Sequence, residues 1–265
     1  MKGATRLALG LAGLAFFATL GQAQTQPTYV HTILVTVKPS AVTEFEDYAK
    51  KVMAAAAKVG SPQIVLGAQL QAGGPQYTYL FTSPFGSFEE MGKWSSIPEM
   101  IMKAHGDVEG AKILKAGRSA IEGSETWVTR TQIDLSTNAK PLDLQATPFV
   151  RLLRTQVDPA MTGEYEQYLA KVKAAQEKAT GYPSVIRRVS ALGESSLYFS
   201  ATFVKSLADL DRIPNQAELM RKAYGEEGAA TITRAGNAAV RSRDIWLLRY
   251  RPDLSRPTAS PAPTN

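Results

Sequence analysis

One ten-residue stretch occurs twice and limits what this chain can fold into. Trp127-Val128-Thr129-Arg130-Thr131-Gln132-Ile133-Asp134-Leu135-Ser136 returns as Trp246-Leu247-Leu248-Arg249-Tyr250-Arg251-Pro252-Asp253-Leu254-Ser255, with Trp, Arg and Asp-Leu-Ser in register 119 residues apart. That period is too long for a solenoid repeat and suits two similar small units in tandem. Other pairs keep nearly the same offset: Pro39 with Pro159, Tyr48 with Tyr168.

Each unit reads as β-α-β-β-α-β. In the first, Tyr29 to Val37 is rich in β-branched residues and ends at Lys38-Pro39-Ser40, which predicts a strand with Ser40 as the N-cap of the following helix. Val42, Phe45, Tyr48, Ala49, Val52, Ala56 and Val59 recur at helical spacing until Gly60-Ser61-Pro62 stops them. Two strands about Ala72-Gly73-Gly74-Pro75 follow, then a helical pattern from Ser87 to Ile121 interrupted at Ile97-Pro98, then the Trp127 strand. The second unit repeats this order from Phe149, with Asp158-Pro159 as cap and first helical residue.

Such a unit forms a ferredoxin-like layer with helices on one face of the sheet, and its other face needs a cover. Both faces of Tyr29–Val37 are largely apolar, so the predicted fold is α+β: two ferredoxin-like units packed sheet to sheet or curled into one barrel. Trp127 and Trp246, being duplicated, are expected to pack each closing strand on its preceding helix.

The flanks read differently. Lys2 and Arg6, an apolar run from Leu7 to Leu20 and then Gly21-Gln22-Ala23 predict a signal peptide over 1–23. The run is shorter than the roughly 18–20 residues that span a bilayer. The first unit is then 24–137, a linker 138–147, the second unit 148–255, and 256–265 a Pro-, Ala- and Thr-rich tail expected to be disordered. A periplasmic or secreted product fits the absence of Cys. The net charge of +6 falls by two when Lys2 and Arg6 are removed, and the remaining cations are interspersed with acids, which argues against nucleic acid. No stable membrane anchor is expected, and an internally paired chain is expected to be a monomer.

No nucleophile elbow, phosphate loop, dinucleotide fingerprint or His/Cys metal spacing occurs. Candidate site residues are therefore sought where the copies differ. His31 lies on the first strand where the second copy has Arg151, and His105 ends a helix where the second copy has Tyr224. Trp94 has no clear counterpart. Ordinary structural roles are available to all of them: a His at a helix C-terminus suits the local carbonyls. Arg130, Arg249, Arg151, Arg154, Arg187 and Arg188 sit on strands, where they either line a polar cavity that takes an anion or reach the rim to meet carboxylates.

The element order over Tyr29 to Ser255 resembles the dimeric α/β-barrel superfamily in a fused form. Within it, Phe88-Glu89-Glu90-Met91-Gly92-Lys93-Trp94-Ser95-Ser96 followed by Lys103-Ala104-His105 resembles the antibiotic-biosynthesis-monooxygenase family. That resemblance implies either cofactor-free oxygenation of aromatic compounds or haem binding and degradation through an Asn, a Trp and an axial His. Carried over, His105 would be the metal ligand and Trp94 the Trp; the Asn position falls near Thr32, a departure that bears on degradation more than on binding. Two functions follow. One is an exported barrel that binds a small hydrophobic or anionic molecule, with His31, Trp94, His105 and Arg151 as ligand-binding candidates. The other is a monooxygenase-like or haem-handling enzyme with its site in the first unit. A third reading is a structural protein that kept the fold without a pocket.

Overall fold

The computed structural model describes residues 27–139 and 143–257; the signal-peptide segment 1–23 lies outside them. The strands are β1 (Tyr29–Val37), β2 (Leu66–Ala72), β3 (Thr78–Phe85), β4 (Ile121–Thr131), β5 (Phe149–Val157), β6 (Val185–Leu192), β7 (Leu197–Val204) and β8 (Val240–Tyr250). The helices are α1 (Val42–Lys58), α2 (Phe88–Met91), α3 (Ile97–His105), α4 (Asp107–Ala120), α5 (Thr162–Glu177), α6 (Ala208–Arg212) and α7 (Gln216–Ala238). The predicted 87–121 helical stretch thus divides into three pieces, and β4 begins at Ile121. The strands close into a barrel in the order β1-β3-β2-β8-β5-β7-β6-β4. Each half contributes the same four-strand arrangement, and β2–β8 and β4–β6 seal the two seams.

The registers repeat as well as the order. Tyr29 faces Phe85 and Arg130 across its neighbours, and Phe149 faces Val204 and Arg249. Both first strands shift register against their closing strands one residue before the end, at Thr36/Val37 and Gln156/Val157. After α1 ends at Lys58 the chain turns at Gly60, and the second copy turns at Gly181, both with positive φ. The expected cap at Ser40 is not made: Pro39–Ala41 is a 3-10 turn without a side-chain cap, whereas Asp158 accepts from the Ala160 amide at 2.9 Å.

The duplicated Asp-Leu-Ser clasps one half to the other. After β4, Ser136 Oγ accepts the Arg187 amide of β6 at 2.9 Å and donates to the Gln132 carbonyl at 2.8 Å. After β8, Ser255 Oγ accepts the Gly67 amide of β2 at 2.8 Å and donates to the Arg251 carbonyl at 2.6 Å. Backbone pairs Thr137–Val185 and Arg256–Val65 complete the two clasps. A Cβ on Gly67 would lie 2.7 Å from the Leu254 carbonyl oxygen, so glycine is needed for this close approach. Arg256, placed in the tail by composition, is buried and donates to the Ser61 and Gln63 carbonyls. The regular chain therefore reaches past Ser255, and 258–265 lie outside the described residues.

Trp127 and Trp246 do not face the helices. Both are buried inside the barrel with Leu34, Leu70, Leu152, Ile186, Phe199 and Leu248. Trp127 stacks on Phe199 with ring centroids 5.7 Å apart and planes at 7°, and the Arg154 guanidinium lies 6.0 Å from Trp127 and 5.7 Å from Trp246. Strand periodicity explains the correction. Val128 and Leu247, next in sequence, take the outer face, and the helix-side cores are built by α1 with Val35, Val37 and Tyr79, and by α5 and α7 with Val157 and Tyr198.

Candidate functional site: an outer cleft and a barrel interior

The outer face of β1 carries Tyr29, His31 and Ile33, and in the first half an aromatic group fills the space beside it. Tyr29, Phe85 and Phe88 are mutually 4.9–5.7 Å apart, and Phe85 meets Trp94 edge-on at 5.4 Å. His31 meets Trp94 at 6.1 Å. Burial lowers the His31 pKa below its ordinary value of 6.5, which keeps the imidazole neutral at physiological pH. Two of the four sequence candidates are therefore in contact.

His105 is not with them. It is exposed in the last turn of α3, before Gly106, and lines neither of the two cavities described here.

In the second half the matching space between sheet and helices is open. A cleft of about 600 Å³ lies between β5, β6 and β8 on one side and α5, α6 and the start of α7 on the other. Arg151, the counterpart of His31, lines it together with Arg187 and Arg243. Hydroxyls and amides from Tyr168, Tyr182, Gln176, Ser200, Thr202 and Asn215 add donors and acceptors, and no Asp or Glu is among the lining residues. Gln216 Nε2 donates to the Tyr168 hydroxyl at 2.6 Å, which ties the first turn of α7 to α5.

Arg187 forms the floor. Its Nη2 donates to Gln176 Oε1 at 2.8 Å and its Nη1 to the Leu135 carbonyl and to Thr137 Oγ1 at 3.3 Å. All these acceptors are neutral, and burial brings the guanidinium down to about 10, still cationic at neutral pH. Burial raises the Tyr168 and Tyr182 phenols, against the pull of the neighbouring arginines, so both stay protonated donors. The N-terminal end of α7 opens at the cleft and adds to the positive field. The chemistry available is recognition of negative charge by guanidinium, phenol and amide donors.

A second cavity of about 650 Å³ lies on the other side of the sheet, inside the barrel. Its wall is mainly apolar, with Val30, Leu80, Leu152, Phe203 and Leu248 among its residues, and it includes Arg188. Adjacent residues of a strand face opposite ways, so Arg187 points to the helices and Arg188 into the barrel. Among the sequence-flagged arginines, Arg154 meets Glu194 at 3.5 Å at the Trp end of the barrel, and Arg249 lies 5.9 Å from the Phe149 ring. Arg243, Gln176, Tyr182 and Asn215 were not singled out in the sequence, because helix and strand positions contributing one polar group each leave no local motif.

Closed eight-stranded topology, tandem β-α-β-β-α-β halves and helices outside the sheet define a dimeric α/β barrel in which one chain supplies both halves. Known structures share it over nearly their whole length. An anthrone oxidase-like protein superposes with a TM-score of 0.55 at 12% identity, over 91% of this chain and 98% of that one. A variant of chlorite dismutase from Candidatus Nitrospira defluvii gives 0.54 at 8% identity, over 87% and 94%. A monooxygenase-like protein from Lactobacillus acidophilus NCFM gives 0.50 at 12%, over 88% and 97%. No family model and no curated protein matches the sequence. Among the described residues no helix is long and apolar enough to cross a membrane, and no cluster of three or more His, Cys, Asp or Glu could hold a metal ion.

Proposed function

We propose that this is an exported binding protein that holds a small anionic molecule in the outer cleft of its second half. The observation that carries the reading is the meeting of Arg151, Arg187 and Arg243 in a cleft whose lining contains no carboxylate. Cations without protein counter-charges, backed by phenol and amide donors, favour a ligand that brings its own negative charge. The volume suits a small molecule rather than a polymer. Export rests on the segment 1–23 and on the absence of Cys.

Titration of the purified chain with small mono- and dicarboxylates and with phosphate tests this. Arg151→Gln and Arg243→Gln are each expected to weaken the preferred anion by about tenfold or more, and affinity should fall with added salt. Unchanged affinity in both variants removes the cleft as the site.

The haem reading rests on the family resemblance and on a fold shared with chlorite dismutase. Exposure of His105 outside both cavities favours the anion reading over it, since an axial His needs an enclosed pocket on its metal side.

A further inference from the structure

We propose that the barrel interior is a second ligand site, independent of the outer cleft, which takes a molecule with an apolar body and a single carboxylate paired to Arg188. Three features of the interior lead there.

The first is an uncompensated charge. Arg188 is half-buried and lines the barrel cavity, its Nε is buried without an acceptor, and no hydrogen bond or ion pair reaches its side chain among the described residues. Burying a cation without a partner is strongly unfavourable. The other guanidinium inside the barrel, Arg154, has Glu194 and two indole rings. Asp143 lies at the cavity mouth, but its Oδ1 accepts the Gln145 and Ala146 amides at 2.9 and 3.0 Å.

The second is the way the duplication has diverged. Cross-strand pairing puts Ala68 opposite Leu80 in one half and Arg188 opposite Phe199 in the other, so Arg188 stands where the first copy keeps a small apolar residue. Conversely, the first copy lines the cavity with Thr32, Thr82 and Thr129, where the second has Leu152, Ala201 and Leu248. Strands β6, β4, β1 and β3 are consecutive around the barrel. Arg188 and the three threonines therefore form one polar arc, and apart from Tyr250 the strand residues lining the opposite arc are apolar. A cavity polar on one side and apolar on the other matches an amphipathic ligand.

The third is the shape of the space. Trp127, Trp246 and Arg154 close one end. Pro27, Leu144 and Pro257 ring the other, where β1 and β5 begin. A ligand entering there reaches Arg188 from the mouth with its body along Leu152, Phe203 and Leu248. One guanidinium with no second cation beside it matches a monoanion; a phosphate monoester would bring more charge than the site neutralises.

The test is calorimetric titration of the purified chain with decanoate, 1-decanol and acetate. With the outer cleft disabled by Arg151→Gln and Arg243→Gln, decanoate should bind one per chain, decanol at least tenfold more weakly, and acetate not at all. Arg188→Met should erase the preference for decanoate over decanol and raise the melting temperature of the ligand-free protein, because the unpaired buried charge is gone. Should that variant not fold, Ala201→Phe fills the cavity with Arg188 intact and should expel decanoate. Arg151→Met, on the outer face of the sheet, should disturb only the cleft, so the failure of either site is seen separately. Equal affinity for decanoate and decanol, binding of neither, an unchanged preference in Arg188→Met, or undiminished decanoate binding in Ala201→Phe would each overturn the proposal.

Discussion

Arg251, just past the last strand, grips Glu46 of the first helix with two hydrogen bonds of 2.6 and 2.8 Å, across 205 residues of sequence. The same guanidinium holds Asp253 through Nε and Nη2, and Tyr79 donates to Glu46 at 2.7 Å. In the second half Tyr198 still donates to Glu166 at 3.0 Å, but Gln132 stands where Arg251 does. The scaffold pair was kept in both copies and the arginine in one.

Glu46→Gln is expected to destabilise the fold by about 1–3 kcal/mol, since it leaves a largely enclosed guanidinium with one carboxylate fewer. Urea denaturation measures it, and a double-mutant cycle with Arg251→Met isolates the coupling. Hydrogen bonds from Arg251 hold both Glu46 and Asp253 below their ordinary pKa values of 4.5 and 3.8. Depressed carboxylates stabilise the fold fully above those values and lose that contribution as pH falls through their native ones. The wild type should therefore lose stability on acidification below about pH 4.5 more steeply than the Glu46→Gln, Arg251→Met double variant.

His31 gives a pH dependence in another window. Its native pKa lies below 6.5, so the unfolded chain binds the proton first and stability declines as pH drops from about 6.5 toward the native value. Melting temperatures over pH 5 to 7.5 should show this decline in the wild type and a flatter profile in His31→Gln. Identical profiles would mean that His31 is as hydrated folded as unfolded.

Gly236 is expected to tolerate no side chain. A Cβ there would lie 2.3 Å from the buried Tyr168 ring, and Gly117 meets Tyr48 at 2.5 Å in the same way. Gly236→Ala should cost about 1–3 kcal/mol through overpacking, without any change in the cleft arginines. Thermal denaturation reads this directly.

Haem titration addresses the family resemblance. With His105 exposed at the end of α3, any Soret change on adding haem should be the same in wild type and His105→Ala. A Soret shift lost in that variant alone would return His105 to the site.

The architecture was legible because hydrophobic period and breakers act locally. The repeat of Trp127 at Trp246, the β-branched run at Tyr29 and the stops at Gly60 and Gly181 each carry their meaning within a few residues. The direction of the tryptophans was not legible, because both faces of the closing strands border apolar cores and alternation alone cannot say which core receives the indole. The Arg187-Arg188 pair carries more than its composition: on any strand two adjacent arginines face opposite sides, and here one is buried under the helices and the other half-buried inside the barrel. His105 was chosen for the motif around it, yet exposure is decided by where α3 ends against α4. The cleft residues come from β5 to β8, α5, α6 and the start of α7, and only the folding of the second half brings them together.

The reciprocal clasps bear on how this chain could be cut. Ser136 and Thr137 belong by sequence to the first half yet complete β6 of the second, and Ser255 and Arg256 complete β2 of the first. Neither half is finished by its own residues. Two polypeptides severed between 138 and 147 would each carry two unsealed strand edges and one donated arm, and each would recover its missing arm from the other. The covalent link between them then serves mainly to fix the partner, so that every barrel pairs one first half with one second half and the cavity inside has a polar arc on one side only.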